Sequence, residues 1–149
     1  MKEFINECQE HVKNIAEELE MYADNAYICP RCGAVHTMDE YEIREYDDIE
    51  DRIGYICPEC GDERTENELE NVGIWDYFND CFDIEYRIGS DRQYRSVCVM
   101  VACGGPNIYV DTGSKKVELY WGNVQETHPL TAYTVAAIDD YFSEMFECC

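Results

Sequence analysis

The chain spells Tyr-Ile-Cys-Pro-x-Cys-Gly twice, at Tyr27–Gly33 and again at Tyr55–Gly61. Two thiolates two residues apart can grip one metal ion from a tight turn, and the glycine that follows lets the backbone fold back without a Cβ clash. Two such knuckles supply the four sulfurs of a closed tetrahedral site. Cys29, Cys32, Cys57 and Cys60 are therefore the expected metal ligands, although the 24 residues between Cys32 and Cys57 exceed the usual spacing. His36 lies four residues past Cys32 and is spare once four thiolates fill the tetrahedron. Zinc is the expected ion, because a d¹⁰ cation serves purely as a staple. Iron in the same sulfur cage, as in a rubredoxin-like electron carrier, is the competing reading.

The ten cysteines of this 149-residue chain could suggest a secreted disulfide framework. The N-terminus lacks a signal-like apolar stretch and no run approaches a membrane span, so reduced thiols in a cytosol are expected. Charge is the second constraint. The formal net charge is −22, and residues 1–80 hold 23 Asp/Glu against 6 Lys/Arg, while residues 81–149 hold 10 against 5. Such a field repels nucleic acid and anionic membrane and attracts basic proteins. A nucleic-acid-binding ribbon would carry Lys/Arg around its knuckles, whereas here carboxylates dominate. The densest run spans residues 39–51, where Asp39, Glu40, Glu42, Glu45, Asp47, Asp48, Glu50 and Asp51 accompany a single base, Arg44. Its two readings are a solvated hairpin face and an array of carboxylates displayed like phosphates.

Residues 1–25 are expected to form an amphipathic helix, with Ile5, Cys8, Val12, Ile15, Ala16, Leu19 and Tyr22 on its apolar side. Cys8 and His11 are expected to pack there. Residues 26–64 form the ribbon. Residues 65–149 form an α+β domain of helix, four-stranded antiparallel meander and C-terminal helix. Thr65-Glu66-Asn67-Glu68 reads as a capping box opening a helix through Leu69, Val72, Trp75, Phe78 and Phe82, with Trp75 in the core. Strands follow at 82–88, at Val97–Cys103 (continuously apolar, as if covered on both faces), at 108–110 and at 117–121. Helical spacing returns from Leu130 to Phe146. No nucleophile–base pair and no phosphate loop is present: Gly104-Gly105-Pro106-Asn107 lacks the lysine and reads as a hairpin connection. A non-enzymatic protein is expected.

Over the whole chain, with its knuckles, its acidity and the segment Gly104–Thr112, the sequence resembles zinc-containing anti-CRISPR proteins of phages and mobile elements. The resemblance implies an inhibitor in the bacterial cytoplasm that mimics DNA, docks on the basic nucleic-acid-binding surface of Cas9 and blocks target-DNA loading. The eight carboxylates of residues 39–51 would be the contact array. A zinc-stabilised protein–protein adaptor, its acidity serving solubility, is the alternative.

Overall fold

The structure, a computed structural model, describes residues 2–47 and 52–148. It is α+β, and the chain divides into two compact units: Asp24–Gly73, and Met1–Ala23 with Ile74–Cys149.

The larger unit is built on a five-stranded antiparallel meander. Its strands are β7 (Asp83–Ile88), β8 (Tyr94–Ala102), β9 (Asn107–Asp111), β10 (Lys116–Trp121) and β11 (Val124–Pro129), and each pairs with its sequence neighbour. The expected meander gains its fifth strand after Gly122, whose φ of +60° turns Trp121 back onto Val124. Alternation puts Val97, Val99, Ile108, Val110, Val117 and Leu119 on one face, all fully buried. Helix α1 (Lys2–Ala23) covers that face with Cys8, Val12, Ile15, Ala16 and Leu19, and helix α3 (Ala132–Glu147) with Val135, Ile138 and Phe142. Thr131 caps α3, its side chain accepting from the Thr134 N–H at 3.2 Å. The apolar run in β8 is covered on one face only: Val97 and Val99 are buried, while Cys98 and Met100 point the other way and are half-buried. Cys103 is exposed, beyond the end of β8. Cys8 packs as expected, but His11 is exposed.

Among the described residues the smaller unit contains six short strands: β1 (Ala26–Ile28), β2 (Val35–Thr37), β3 (Glu42–Glu45), β4 (Ile53–Ile56), β5 (Glu63–Arg64) and β6 (Glu70–Val72). They form two three-stranded sheets, ordered β2-β1-β6 and β3-β4-β5. The helix expected from Thr65 is absent. Glu66–Glu68 make one 3-10 turn, β6 follows, and the only α-helix here is the single turn α2 (Ile74–Tyr77), in the larger unit. Leu69 and Val72 are buried in the smaller unit and Phe78 in the core of the larger one, which one continuous helix does not do. Trp75, expected in the core, is 51% exposed, and Phe82 is exposed beside β7. The ribbon thus reaches Gly73 rather than residue 64, because β6 pairs with β1.

Candidate metal centre

The smaller unit repeats itself at a 28-residue offset. Cys29 and Cys32 map onto Cys57 and Cys60, Gly33 onto Gly61, and Thr37-x-x-Glu40-Tyr41 onto Thr65-x-x-Glu68-Leu69. The backbone obeys the same offset. The Gly33 N–H donates to the Cys29 carbonyl and the Gly61 N–H to the Cys57 carbonyl, both at 2.9 Å. The Cys29 N–H reaches the Ala34 carbonyl at 3.0 Å and the Cys57 N–H that of Asp62 at 2.9 Å. Both glycines have φ +76°, the left-handed conformation that closes each knuckle. After each knuckle comes a 3-10 turn, in which the Thr N–H and hydroxyl both donate to the glutamate three residues on.

The third strand of each copy then crosses to the other copy's sheet. β6 pairs with β1 as Ile28↔Glu70, and β3 pairs with β4 as Ile56↔Glu42, which is the same register shifted by the repeat. This exchange brings the two knuckles face to face. Cys29 Sγ lies 3.7 Å from Cys60 Sγ, Cys32 Sγ lies 3.7 Å from Cys57 Sγ, and all four sulfurs fall within 4.8 Å of one another. A tetrahedral ion with metal–sulfur bonds of about 2.3 Å has sulfur–sulfur edges of about 3.8 Å. The four cysteines fit such an ion.

Electrostatics argue the same way. Burial opposes ionisation of Cys29, yet the amides of Cys32 and Arg31 and the thiols of Cys60 and Cys32 hydrogen-bond its sulfur and bring it down to about 7. The Ala34 amide favours a thiolate at Cys32, but desolvation and the thiols of Cys57, Cys60 and Cys29 push it up to about 12. Four sulfurs this close cannot all carry charge unless a cation sits among them. Burial, with the negative potential of the four cysteines, also pushes Tyr41 up to about 12. Its hydroxyl donates to the Tyr27 carbonyl at 3.2 Å.

The middle residue of each knuckle reaches the opposite copy. Arg31 sits 3.7 Å from Asp62, and Glu59 sits 3.3 Å from His36 Nε2. His36 Nδ1 meets Glu40 at 2.7 Å, so the histidine bridges two carboxylates. The hydrogen bond from His36, with those from Thr37, holds the Glu40 carboxyl below its usual range.

Of the acidic residues expected to meet a partner, Asp48, Glu50 and Asp51 lie outside the described residues. Asp39, Glu42, Glu45 and Asp47 are exposed. Strand alternation sends Glu42 and Glu45 to opposite faces of β3, and Glu40 is engaged in its 3-10 turn and by His36. The one base of the run, Arg44, lies 3.1 Å from Glu63. The repeat of Thr-x-x-Glu was legible in the sequence and would have extended the ribbon to β6.

The larger unit has a cavity of about 300 Å³ lined in part by His11, Glu18, Tyr77, Asp80 and Cys81. Among the described residues, only the four knuckle cysteines bring ligand atoms within reach of one ion. No described helix is long and apolar enough to cross a membrane. No protein-family model matches the chain, and neither a curated protein nor a solved structure matches it.

Proposed function

We propose that the chain is a zinc-stapled, non-enzymatic binding protein that presents carboxylates to a basic, nucleic-acid-handling partner. The carrying observation is the charge of the unit that holds the four sulfurs. Residues 24–73 contain 15 Asp/Glu against four Arg, a net −11 in 50 residues, against the same net −11 in the other 99. A divalent ion held by four thiolates adds a further −2 to that unit. So much like charge destabilises a small compact state, and the tetrathiolate centre offsets that repulsion while fixing the strands that carry the carboxylates. Zinc suits this role because it fills a closed sulfur tetrahedron and has no redox chemistry. The resemblance to anti-CRISPR proteins makes guide-loaded Cas9, with its positively charged heteroduplex channel, the first partner to test.

Elemental analysis of reduced protein should find one zinc per chain in a colourless preparation. A red, iron-loaded preparation would favour electron transfer. Binding to guide-loaded Cas9 should be tight at low ionic strength and weaken steeply above about 0.15 M salt, where exposed charges are screened beyond roughly 8 Å. Loading of target DNA should fall where the protein binds and recover as salt releases it. Absence of binding at low salt would reject Cas9, and the adaptor reading would take its place.

A further inference from the structure

The internal repeat supplies a control for reading the ribbon's surface, because each position in one sheet has a counterpart in the other. Tyr27 and Tyr55 are such a pair, each packed against the small core around Cys29 and Cys57. The residues opposite them are Asn71, against Tyr27, and Ile43, against Tyr55. Both are exposed, but where one sheet presents an amide the other presents a large apolar side chain, 56% exposed. Ile53, on the same face as Ile43 by strand alternation, is 44% exposed. Its counterpart, Asn25, leaves the strand with φ +62°. Because the mate sheet forms with asparagine at the equivalent place, folding of the ribbon does not call for isoleucine at 43.

β3 is also an edge: its sheet runs β3-β4-β5, and among the described residues no strand pairs with its outer side. Natural edges are blunted by shortness, proline, a bulge or charged side chains; β3 is short and its charge is net negative, which repels strands of like charge but not a basic one. β3 reads Glu42-Ile43-Arg44-Glu45, with regular pairing to β4 and its arginine drawn to Glu63. An unpaired edge bearing an exposed apolar residue between two carboxylates is suited to strand addition.

We infer that β3 is a docking edge for an extended segment of a partner protein in which basic and apolar residues alternate. The added strand continues the β3-β4-β5 sheet, lays an apolar side chain beside Ile43 on the face it shares with Ile53, and sets Lys or Arg on the opposite face beside Glu42, where Arg44 is already drawn to Glu63. This deepens the proposed function and rests on it for the partner's charge. The mate edge β6, with Glu70, Asn71 and a buried Val72, lacks the apolar anchor.

The test is NMR titration of the metal-loaded, isotope-labelled full chain with a Lys-Val-Lys-Val-Lys-Val peptide. The expected amide shifts concentrate at 42–47 and 53–55, and affinity falls about tenfold in Ile43→Asn/Ile53→Thr as two apolar contacts are lost. Metal content should be unchanged in that variant, and Asn71→Ile alone should not move the shifts to β6. Four outcomes would overturn the inference: no peptide binding, shifts centred on β6 or spread over both units, equal affinity in the variant, or shifts at 42–47 that grow with protein concentration alone. Cas9 separates this result from the broader reading. Docking of the peptide on β3 without Cas9 binding rejects the Cas9 assignment alone, whereas equal binding of Cas9 by wild type and variant rejects the edge.

Discussion

Single residues set the two knuckles. Gly33 and Gly61 share φ +76°, and a Cβ at either would meet no atom within 4 Å, so a side chain there is penalised by backbone conformation alone. Alanine at either position should lower the stability of the ribbon by about 1 kcal/mol. The two costs should be nearly equal, because the sites are repeats of one another. Chemical denaturation of the zinc-loaded Gly33→Ala and Gly61→Ala variants checks this, and a loss several times larger at one site would break the equivalence. At this scale the clustering of the four cysteines was legible in the sequence: Cys-Pro-x-Cys-Gly carries its geometry locally. Trp75 was not, since helical spacing from Thr65 pointed it inward and no such helix forms.

Elements are decided by what they can pair with. Thr65-x-x-Glu68 has a helix start's signature, yet its twin Thr37-x-x-Glu40 makes the same 3-10 turn, and each turn leads into a strand that the other copy's sheet accepts. Propensity proposes and strand pairing disposes. In the larger unit the element joint is Arg87 on β7, whose guanidinium makes two 2.8 Å bonds to the Asp111 carboxylate at the end of β9. Burial pushes the Asp111 carboxyl up, but Arg87 and the Ser114 and Gly113 amides outweigh it and hold it below its ordinary range. A depressed carboxyl contributes stability above its unfolded value, near pH 4, and loses that contribution as pH falls through the folded value. Acid melting of wild type should therefore show an extra loss below about pH 4 that Asp111→Asn lacks. At neutral pH the variant should be less stable by roughly 1–3 kcal/mol, Arg87 being partly solvated. Parallel acid-limb slopes in the two proteins would contradict this assignment.

For the whole molecule, the two units differ in what holds them. Phe142, Leu19, Ile108 and Leu119 anchor an extensive apolar core between sheet and helices, whereas the buried residues clustered in the ribbon are Cys29, Tyr41, Cys57 and Leu69. Half of that small core is cysteine of the candidate metal site. Chelation, or Cys57→Ser, should unfold residues 24–73 while the sheet unit keeps its melting transition, as seen by amide exchange. Simultaneous loss of both units would show that the ion stabilises the whole chain. The sequence by itself determined the four cysteines that cluster, the acidity, the α+β class, the first four strands of the larger unit and its two long helices, because knuckle spacing, charge and hydrophobic period are local properties. The tertiary structure decided the exchange of third strands between the two repeats, the ribbon's true end at Gly73 and the exposure of Ile43. These depend on which edge each short strand finds, a choice made by long-range pairing; only the ribbon's end left a local trace, in the repeated Thr-x-x-Glu.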